Sequence, residues 1–406
     1  MPSEDHQFNE TGLLVCVGHF TSPTARQCLA DSAEWHTAEA GRPLECFACE
    51  RTPAGSLDTL IALVLENGSW LYEPYETSTA AGSFHKEFGD QSADTYEMVE
   101  LLTGGDDPVC VAIVEALSGT AWISTYWERG DLAGHLIADW EEFALALQHR
   151  ARFTVLEYLL EHEQQLYGVV AGTLGRLSDA SPRTVIRAGT EVYRARMHEG
   201  LDAEHAAVDK IMPPPPTLAR AGRMNPAGIP LFYGAMEVGT ALAEVFSHSP
   251  TSPYAVYGEF IADADIVVLD LTGAPYPVDF LSGDREQVTQ TIFLNCFVDS
   301  ISHPVDPSAD PQGLNYLPTQ YLVEAIQRST GVMTTLPAID VDGIAYPSAV
   351  HPNGRNLVLF EDRVSLPTSD ANPKSPHALP GKPRLTMTAC AWRKAIPSWA
   401  RVPGWP

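Results

Sequence analysis

At 406 residues the chain is too long for one hydrophobic core, and two domains with irregular connections are expected. Its 45% hydrophobic and 9% aromatic content excludes a disordered chain, and no run approaches the ~18 uninterrupted apolar residues of a membrane helix. The formal net charge of −27, from 25 Lys+Arg against 52 Asp+Glu, repels phosphate backbones and anionic lipid; no basic run relieves it, so neither direct nucleic-acid binding nor membrane binding is expected.

The chain starts MPSEDHQFNETG, acidic and polar, without the basic-then-apolar order of a secretory signal, so a cytoplasmic location is expected. Seven cysteines, an odd number, argue against a disulfide framework. Four of them fall in the first fifty residues. There "CVGH" offers Cys16 and His19 and "CFAC" offers Cys46 and Cys49, two knuckles whose thiolates and imidazole suit a tetrahedral zinc ion. Four protein ligands leave no open position, so such a site is structural. Cys28 lies between the knuckles as a substitute ligand, and two unrelated short motifs are the plainer alternative.

Residues 55–180 carry helical periodicity. Leu57, Leu60, Ile61, Val64 and Leu65 are spaced for one helix face and stop at Asn67-Gly68; Met98, Leu101 and Leu102 repeat the pattern. The strongest signal runs from Asp139 towards Leu177, with a break near Phe153. Residues 1–180 are thus expected as an accessory domain, zinc-knuckle-like over 14–50 and helical over 55–180. From about 183 the chain turns to short β-type runs between Pro and Gly, such as "EVYRARM", "IPLFYGAM" and "NLVLFED", with helical patterns at "VGTALAEVFSH", "DREQVTQTIFLNCFVDSI" and "TQYLVEAIQRSTG". The expected class is α+β, a mainly helical first domain followed over 183–366 by a mixed β-sheet domain. Residues 367–406 form a Pro-rich C-terminal extension.

Polar residues collect where these runs end. Arg194 and Arg196 lie in "YRAR", Arg223 opens "GRMNPAG", Tyr233 ends "LFY", Glu244 sits on an apolar helix pattern, and Ser348 follows Pro347. A glutamate among Ala243 and Val245 is costly to bury unless paired, and arginines supply the pairing. Chemistry alone leaves two readings open. One is a structural Arg–Glu pair; the other is a site for an anionic ligand, with arginines on phosphates, tyrosine against a ring and glutamate on a hydroxyl.

The run "YRAR … GRMNPAGIPLFYGAMEVGTALAEVF … YLPTQYLVEAI … GIAYPSAVHPNGRNLVLF" closely resembles the RES domain over about residues 183–365. The first 180 residues resemble the HEPN-class accessory domain that precedes some RES domains. The resemblance implies a fold akin to ADP-ribosyltransferases and a toxin that splits the nicotinamide–ribose bond of NAD+, by phosphorolysis with inorganic phosphate as co-substrate or else by hydrolysis, under an Xre-type antitoxin. By position it assigns catalysis to Arg194, Arg223, Tyr233, Glu244 and Ser348, with Arg194, Arg223, Tyr233 and Ser348 also holding the dinucleotide, and Arg196 as the alternative to Arg194.

Three rivals remain in view. ADP-ribose transfer to a macromolecule would use the same residues. A HEPN-type ribonuclease would use Arg129 and His135 in "RGDLAGH", although Gly130 and Gly134 weaken a helix there and the charge opposes RNA. A purely non-catalytic interaction module would use the knuckles and the acidic surface. Oligomeric state stays open.

Overall fold

The computed structural model describes residues 8–74, 95–117, 122–124, 132–179, 183–198, 211–248, 254–303, 310, 313–328, 339–360 and 385–394. The chain groups into two compact units, residues 1–138 with 277–292, and residues 139–276 with 293–406. No helix among the described residues is long and apolar enough to cross a membrane.

The first unit is mainly helical. Helix α1 (Pro23–Ala40) starts where Ser22 Oγ accepts the Ala25 N–H at 3.1 Å, with Pro23 in the first turn, and stops at Gly41 in the left-handed conformation. Its Ala25, Leu29 and Ala33, four apart, face Leu57, Leu60, Ile61 and Val64 of α2 (Leu57–Asn67). Helices α3 (Thr95–Thr103) and α4 (Asp107–Ala116) complete this core with Met98, Val99, Val109 and Ile113. Strand β1 (Leu14–Val15) pairs antiparallel with β2 (Gly55–Ser56), and β3 (Tyr72–Pro74) with β4 (Trp122–Ser124). A Cβ on Gly55 would stand 2.3 Å from the Leu29 carbonyl oxygen, so only glycine lets β2 lie this close to α1. Asp279 accepts from Ser22 Oγ, Thr24 Oγ1 and Thr24 N at 2.7, 2.7 and 3.0 Å, which binds residues 277–292 to the positive end of α1.

The long helical signal of 139–177 resolves into three helices, α5 (Leu132–His149), α6 (Val155–His162) and α7 (Gln164–Asp179), broken around the exposed Phe153 and again at Glu163. In the second unit these pack onto an eight-stranded sheet. Its strands are β5 (Arg183–Ile186), β6 (Glu191–His198), β7 (Phe232–Ala235), β8 (Tyr254–Ala262), β9 (Ile266–Asp270), β10 (Gly343–Pro347), β11 (Arg355–Leu359) and β12 (Leu385–Lys394), in the spatial order 12-8-6-7-11-10-9-5. Only β9 and β10 run parallel; every other neighbouring pair is antiparallel, which is the mixed sheet expected. β12 lies within the Pro-rich extension; residues 367–384 and 395–406 of that extension lie outside the described residues.

The period of two along the strands separates two cores. Ile344, Tyr346, Val358 and Phe360 face one side, with Phe143 of α5, Leu159 of α6, Val170 of α7, Phe297 of α9 (Arg285–Ser302) and Val323 of α10 (Leu317–Arg328). Ala345, Leu357 and Leu359 face the other, with Ile211, Phe232, Val256 and Phe260. Between β7 and β8 runs helix α8 (Val238–His248), whose buried Ala241 packs with Ala195 of β6 and Tyr257 of β8.

Candidate active site and metal centre

Where α8 meets the ends of β6, β7, β10 and β11, one cavity of about 300 Å³ opens. Arg194, Arg223, Tyr233 and Glu244 all line it, so four of the five residues singled out by sequence converge there. The fifth, Ser348, reaches the site through Glu244, its hydroxyl donating to Oε1 at 2.7 Å. Arg196, two residues along β6 from Arg194, does not line this cavity, and burial holds its pKa below the usual arginine value.

Glu244 is the centre of the arrangement. Its Oε1 takes two hydrogen bonds, from Ser348 Oγ and from Asn356 Nδ2 at 2.6 Å, while Oε2 lies 3.7 Å from Arg223 Nη2. Both side chains are mostly buried, 17% exposed for Glu244 and 11% for Arg223, so this ion pair is shielded from bulk water. Two donors on one oxygen fix the carboxylate plane, which a bare helix rotamer would not do. Ser348 is itself held: its Oγ accepts from the backbone N–H of His351 and Val350 at 3.1 and 3.3 Å. Thr240 of α8 donates to Glu237 and shares a 3.0 Å hydrogen bond with His351 Nδ1, and Glu237 accepts from Arg355 N and Nε. The serine loop is thus tied to the helix that carries Glu244.

Arg223 sits in a turn that neighbouring elements lock. Its Nη1 donates to the carbonyls of Ile301 and Ser302 at 3.1 and 2.7 Å, in the last turn of α9, where the helix dipole favours a cation. Thr319 of α10 donates to the Arg223 carbonyl, and Gln320 Nε2 donates to the carbonyls of Gly222 and Asn225 at 2.8 and 3.0 Å. A Cβ on Gly222 would fall 2.7 Å from Asn225 Oδ1, which is why the turn opens on glycine. Tyr233 turns its hydroxyl to the same turn, donating to Asn225 Oδ1 at 2.8 Å and accepting from Met224 N at 3.2 Å. Burial pushes its pKa up to about 12. Arg194 donates from Nε to the Ile211 carbonyl at 2.6 Å and from Nη1 to the Tyr233 carbonyl at 2.5 Å, with its guanidinium over the Phe232 ring.

Sequence reasoning missed three wall residues, Tyr316, Tyr346 and Asn356. Burial raises the pKa of Tyr346 well above the ordinary phenol value. Asn356 carried a signal that could have found it. It shares strand parity with Val358 and Phe360, so it faces the core, and a buried amide there demands a partner.

In the first unit, Cys16, His19, Cys46 and Cys49 bring their ligand atoms within 4.8 Å of one another. His19 Nε2 is 3.1 Å from Cys49 Sγ and 3.4 Å from Cys46 Sγ, and Cys16 Sγ is 3.6 Å from Cys49 Sγ. A tetrahedron with bonds of about 2.0–2.3 Å has edges of roughly 3.3–3.8 Å, and the separations here lie close to that range, so the donor set fits a zinc ion. Cys28, in α1, is not a member of the group. The other imidazole nitrogen of His19, Nδ1, is 2.6 Å from Asp106 Oδ2. Asp106 stands at the N-cap position of α4 yet makes no side-chain cap bond, and its own N–H donates to the His19 carbonyl at 3.0 Å. Burial works against charge on His19, but the bonds to Asp106, Cys49 and Cys46 outweigh it and hold its pKa at about 9. Burial pushes Cys16 to about 11, whereas the Arg51 backbone N–H, with help from His19, draws Cys49 down to about 7.

The ribonuclease pair lies outside the described residues, Arg129 wholly and His135 in its side chain.

Two family models match the chain. The RES domain matches residues 191–379, and HEPN/RES N-terminal domain 1 matches residues 39–159. The chain therefore carries a RES domain preceded by a HEPN/RES N-terminal domain. Its six site residues, Asn356 included, all fall within the RES match, and the second match takes in Cys46 and Cys49. No curated protein matches the chain.

Proposed function

We propose that this RES protein is a toxin enzyme that cleaves the bond between nicotinamide and ribose in NAD+, by phosphorolysis or by hydrolysis. The observation that carries the reading is Glu244, a carboxylate fixed by two donors and facing Arg223 in a cavity walled by tyrosine rings. In NAD+ the nicotinamide ring is cationic and leaves with the electron pair of its bond to C1 of the ribose. Positive charge then builds on C1 and the ring oxygen. A preoriented carboxylate stabilises that charge more in the transition state than in the ground state, where the charge sits on the leaving ring. Ser348 and Asn356 hold Glu244 in place for this role. Arg223 and Arg194 lend positive charge for phosphate oxygens, and Tyr233, Tyr316 and Tyr346 offer faces to a ring.

An oxygen of inorganic phosphate or of water forms the new bond to C1 and gives up its proton to solvent. Phosphate would yield an ADP-ribose phosphate ester; water would yield ADP-ribose. The RES domain adds an Xre-type antitoxin as the partner that restrains the enzyme. The Cys/His cluster, in turn, holds a structural zinc ion that cross-links the loop around Cys46 and Cys49 to the segment after β1.

Product analysis of the purified chain with NAD+, by chromatography and phosphorus NMR with and without inorganic phosphate, tests the reaction. Nicotinamide release is expected, and its phosphate dependence separates the two acceptors. Intact NAD+ in both tubes, or label transferred to a macromolecule in place of free products, would sink the proposal.

A further inference from the structure

The loop between β10 and β11 lies along α8 in register. Glu237, just before the helix, Thr240 in its first turn and Glu244 one turn further on are spaced three and four apart, so they share one face. Their partners descend the chain as they ascend it: Arg355 on Glu237, His351 on Thr240 and Ser348 on Glu244. Three rungs thus join helix to loop. The rung at Glu244 fixes the carboxylate and the rung at Glu237 is an ion pair. The middle rung sets the register between them.

That middle rung has a direction. A threonine hydroxyl has one proton to donate and two lone pairs. Glu237 accepts from Arg355 N and pairs with its Nε, so it is a carboxylate and can only accept from Thr240, whose Oγ1 is 3.0 Å from Oε2. The Thr240 proton goes there, and the 3.0 Å contact with His351 Nδ1 must take its proton from the imidazole. The seat is also shaped to the ring. A Cβ on Gly354 would stand 2.6 Å from Thr240 Oγ1 and 2.9 Å from His351 Nδ1, and one on Gly239 would stand 3.4 Å from Nε2. Glycine is a poor helix former, yet at Gly239 it lets the imidazole lie against α8. The peptide of His351 is held in turn: its N–H donates to Ser348 Oγ at 3.1 Å and its carbonyl accepts from Gly354 N at 2.9 Å.

We propose that His351 is a positioning residue. With its proton on Nδ1 and its ring seated on Thr240, it holds the N–H that orients Ser348, and through Ser348 it fixes the plane of the Glu244 carboxylate. It does not line the cavity, so it acts through Ser348 alone. The role rests on NAD+ cleavage as the reaction, with Glu244 as the group that stabilises the developing charge.

The test uses the full chain. Thr240→Val keeps the side-chain shape and removes the hydroxyl, His351→Ala removes the ring from the loop, and His351→Asn returns an amide N–H close to the place of Nδ1. In the first two, kcat for nicotinamide release should fall by about ten-fold or more while KM stays within about two-fold. His351→Asn should recover most of that rate. In a Ser348→Ala background, Thr240→Val should cost less than about two-fold further, because the two side chains act in series. Long-range proton–nitrogen NMR of the imidazole, assigned by its loss in His351→Asn, should find hydrogen on Nδ1. Hydrogen on Nε2 alone, full turnover by Thr240→Val, asparagine no better than alanine, or an undiminished cost in the Ser348→Ala background overturns the positioning role and leaves the reaction untouched. A chain with hydrogen on Nδ1 that releases no nicotinamide from NAD+ keeps the seat and refutes the cleavage reaction.

Discussion

The Cys/His cluster of the first unit and the carboxylate site of the second are built in opposite ways. Each half of the cluster is a local pair, Cys16 with His19 and Cys46 with Cys49, so a single turn of backbone positions two ligands at once. At the carboxylate site no two of Arg194, Arg223, Tyr233, Glu244, Ser348 and Asn356 are neighbours in sequence; they come from β6, a turn, β7, α8, a loop and β11. Local pairs need only a short chain to hold them, and a metal can complete the geometry. Residues from six segments need the whole sheet, and each must be fixed by its own hydrogen bonds: Thr319 and Gln320 for the Arg223 turn, Thr240 and Glu237 for the serine loop. The first site should therefore fail with its ion and the second one contact at a time.

Removing the ion should have the largest effect. Structural zinc sites in small modules carry ~10–16 kcal/mol of apparent binding energy that is also folding energy. Chelation, or Cys46→Ser, should abolish the cooperative melting of the first unit, and metal analysis should find one zinc per chain beforehand. Zinc affinity should rise with pH, because the Cys16 thiol, at about 11, and the His19 imidazolium, at about 9, must both lose protons to bind. A chain without zinc, whose melting ignores the chelator, would reduce the cluster to packed thiols.

At the second site the proposed reaction makes a single contact decide the rate. Glu244→Gln keeps the shape and still accepts from Ser348 and Asn356, but removes the charge, so nicotinamide release should fall by ~10²–10³-fold with an unchanged melting curve. Wild-type turnover in this variant would end the assignment of Glu244.

How legible each site was follows from the same contrast. The cluster could be read from ligand type and spacing alone, because its geometry is local. The five expected residues of the carboxylate site came from resemblance; their chemistry alone could not separate a catalytic group from a structural Arg–Glu pair. Asn356 escaped because one amide in "GRNLVLF" looks like a strand end until parity puts it on the core face. Asp106 escaped for a different reason: 87 residues separate it from His19, and nothing in a helix N-cap aspartate announces that it will serve an imidazole instead. The strand runs and helices were legible through periods of two and 3.6, whereas the order 12-8-6-7-11-10-9-5, which puts β7 beside β11, depends on pairings between distant segments that local pattern does not encode.

Asp106 gives the next smaller effect. It fixes His19 as a carboxylate behind a metal-bound imidazole does, and losing such a partner costs ~10–100-fold in metal affinity. Asp106→Asn should lower zinc affinity by that factor in a competition with a chromophoric chelator, while leaving one zinc bound at saturation. Unchanged affinity would show that the 2.6 Å contact is incidental to the metal.

The smallest expected effect concerns Tyr233, where the two sites differ most instructively. Every ligand in the cluster acts through its terminal atom, whereas Tyr233 divides its labour: the ring lines the cavity while the hydroxyl is spent on Asn225 and Met224 in the Arg223 turn. Tyr233→Phe keeps the ring and removes that hydroxyl, leaving the Asn225 oxygen and the Met224 N–H short of a partner. Stability should drop by about 1–2 kcal/mol. KM should rise as the turn loosens, while kcat stays within about ten-fold of the unaltered enzyme, the pattern of a lost binding contact rather than a lost transition-state contact. A fall in kcat comparable to that of Glu244→Gln would instead place the hydroxyl in the chemistry. That outcome would mean that Tyr233 leaves the Asn225 turn when substrate enters.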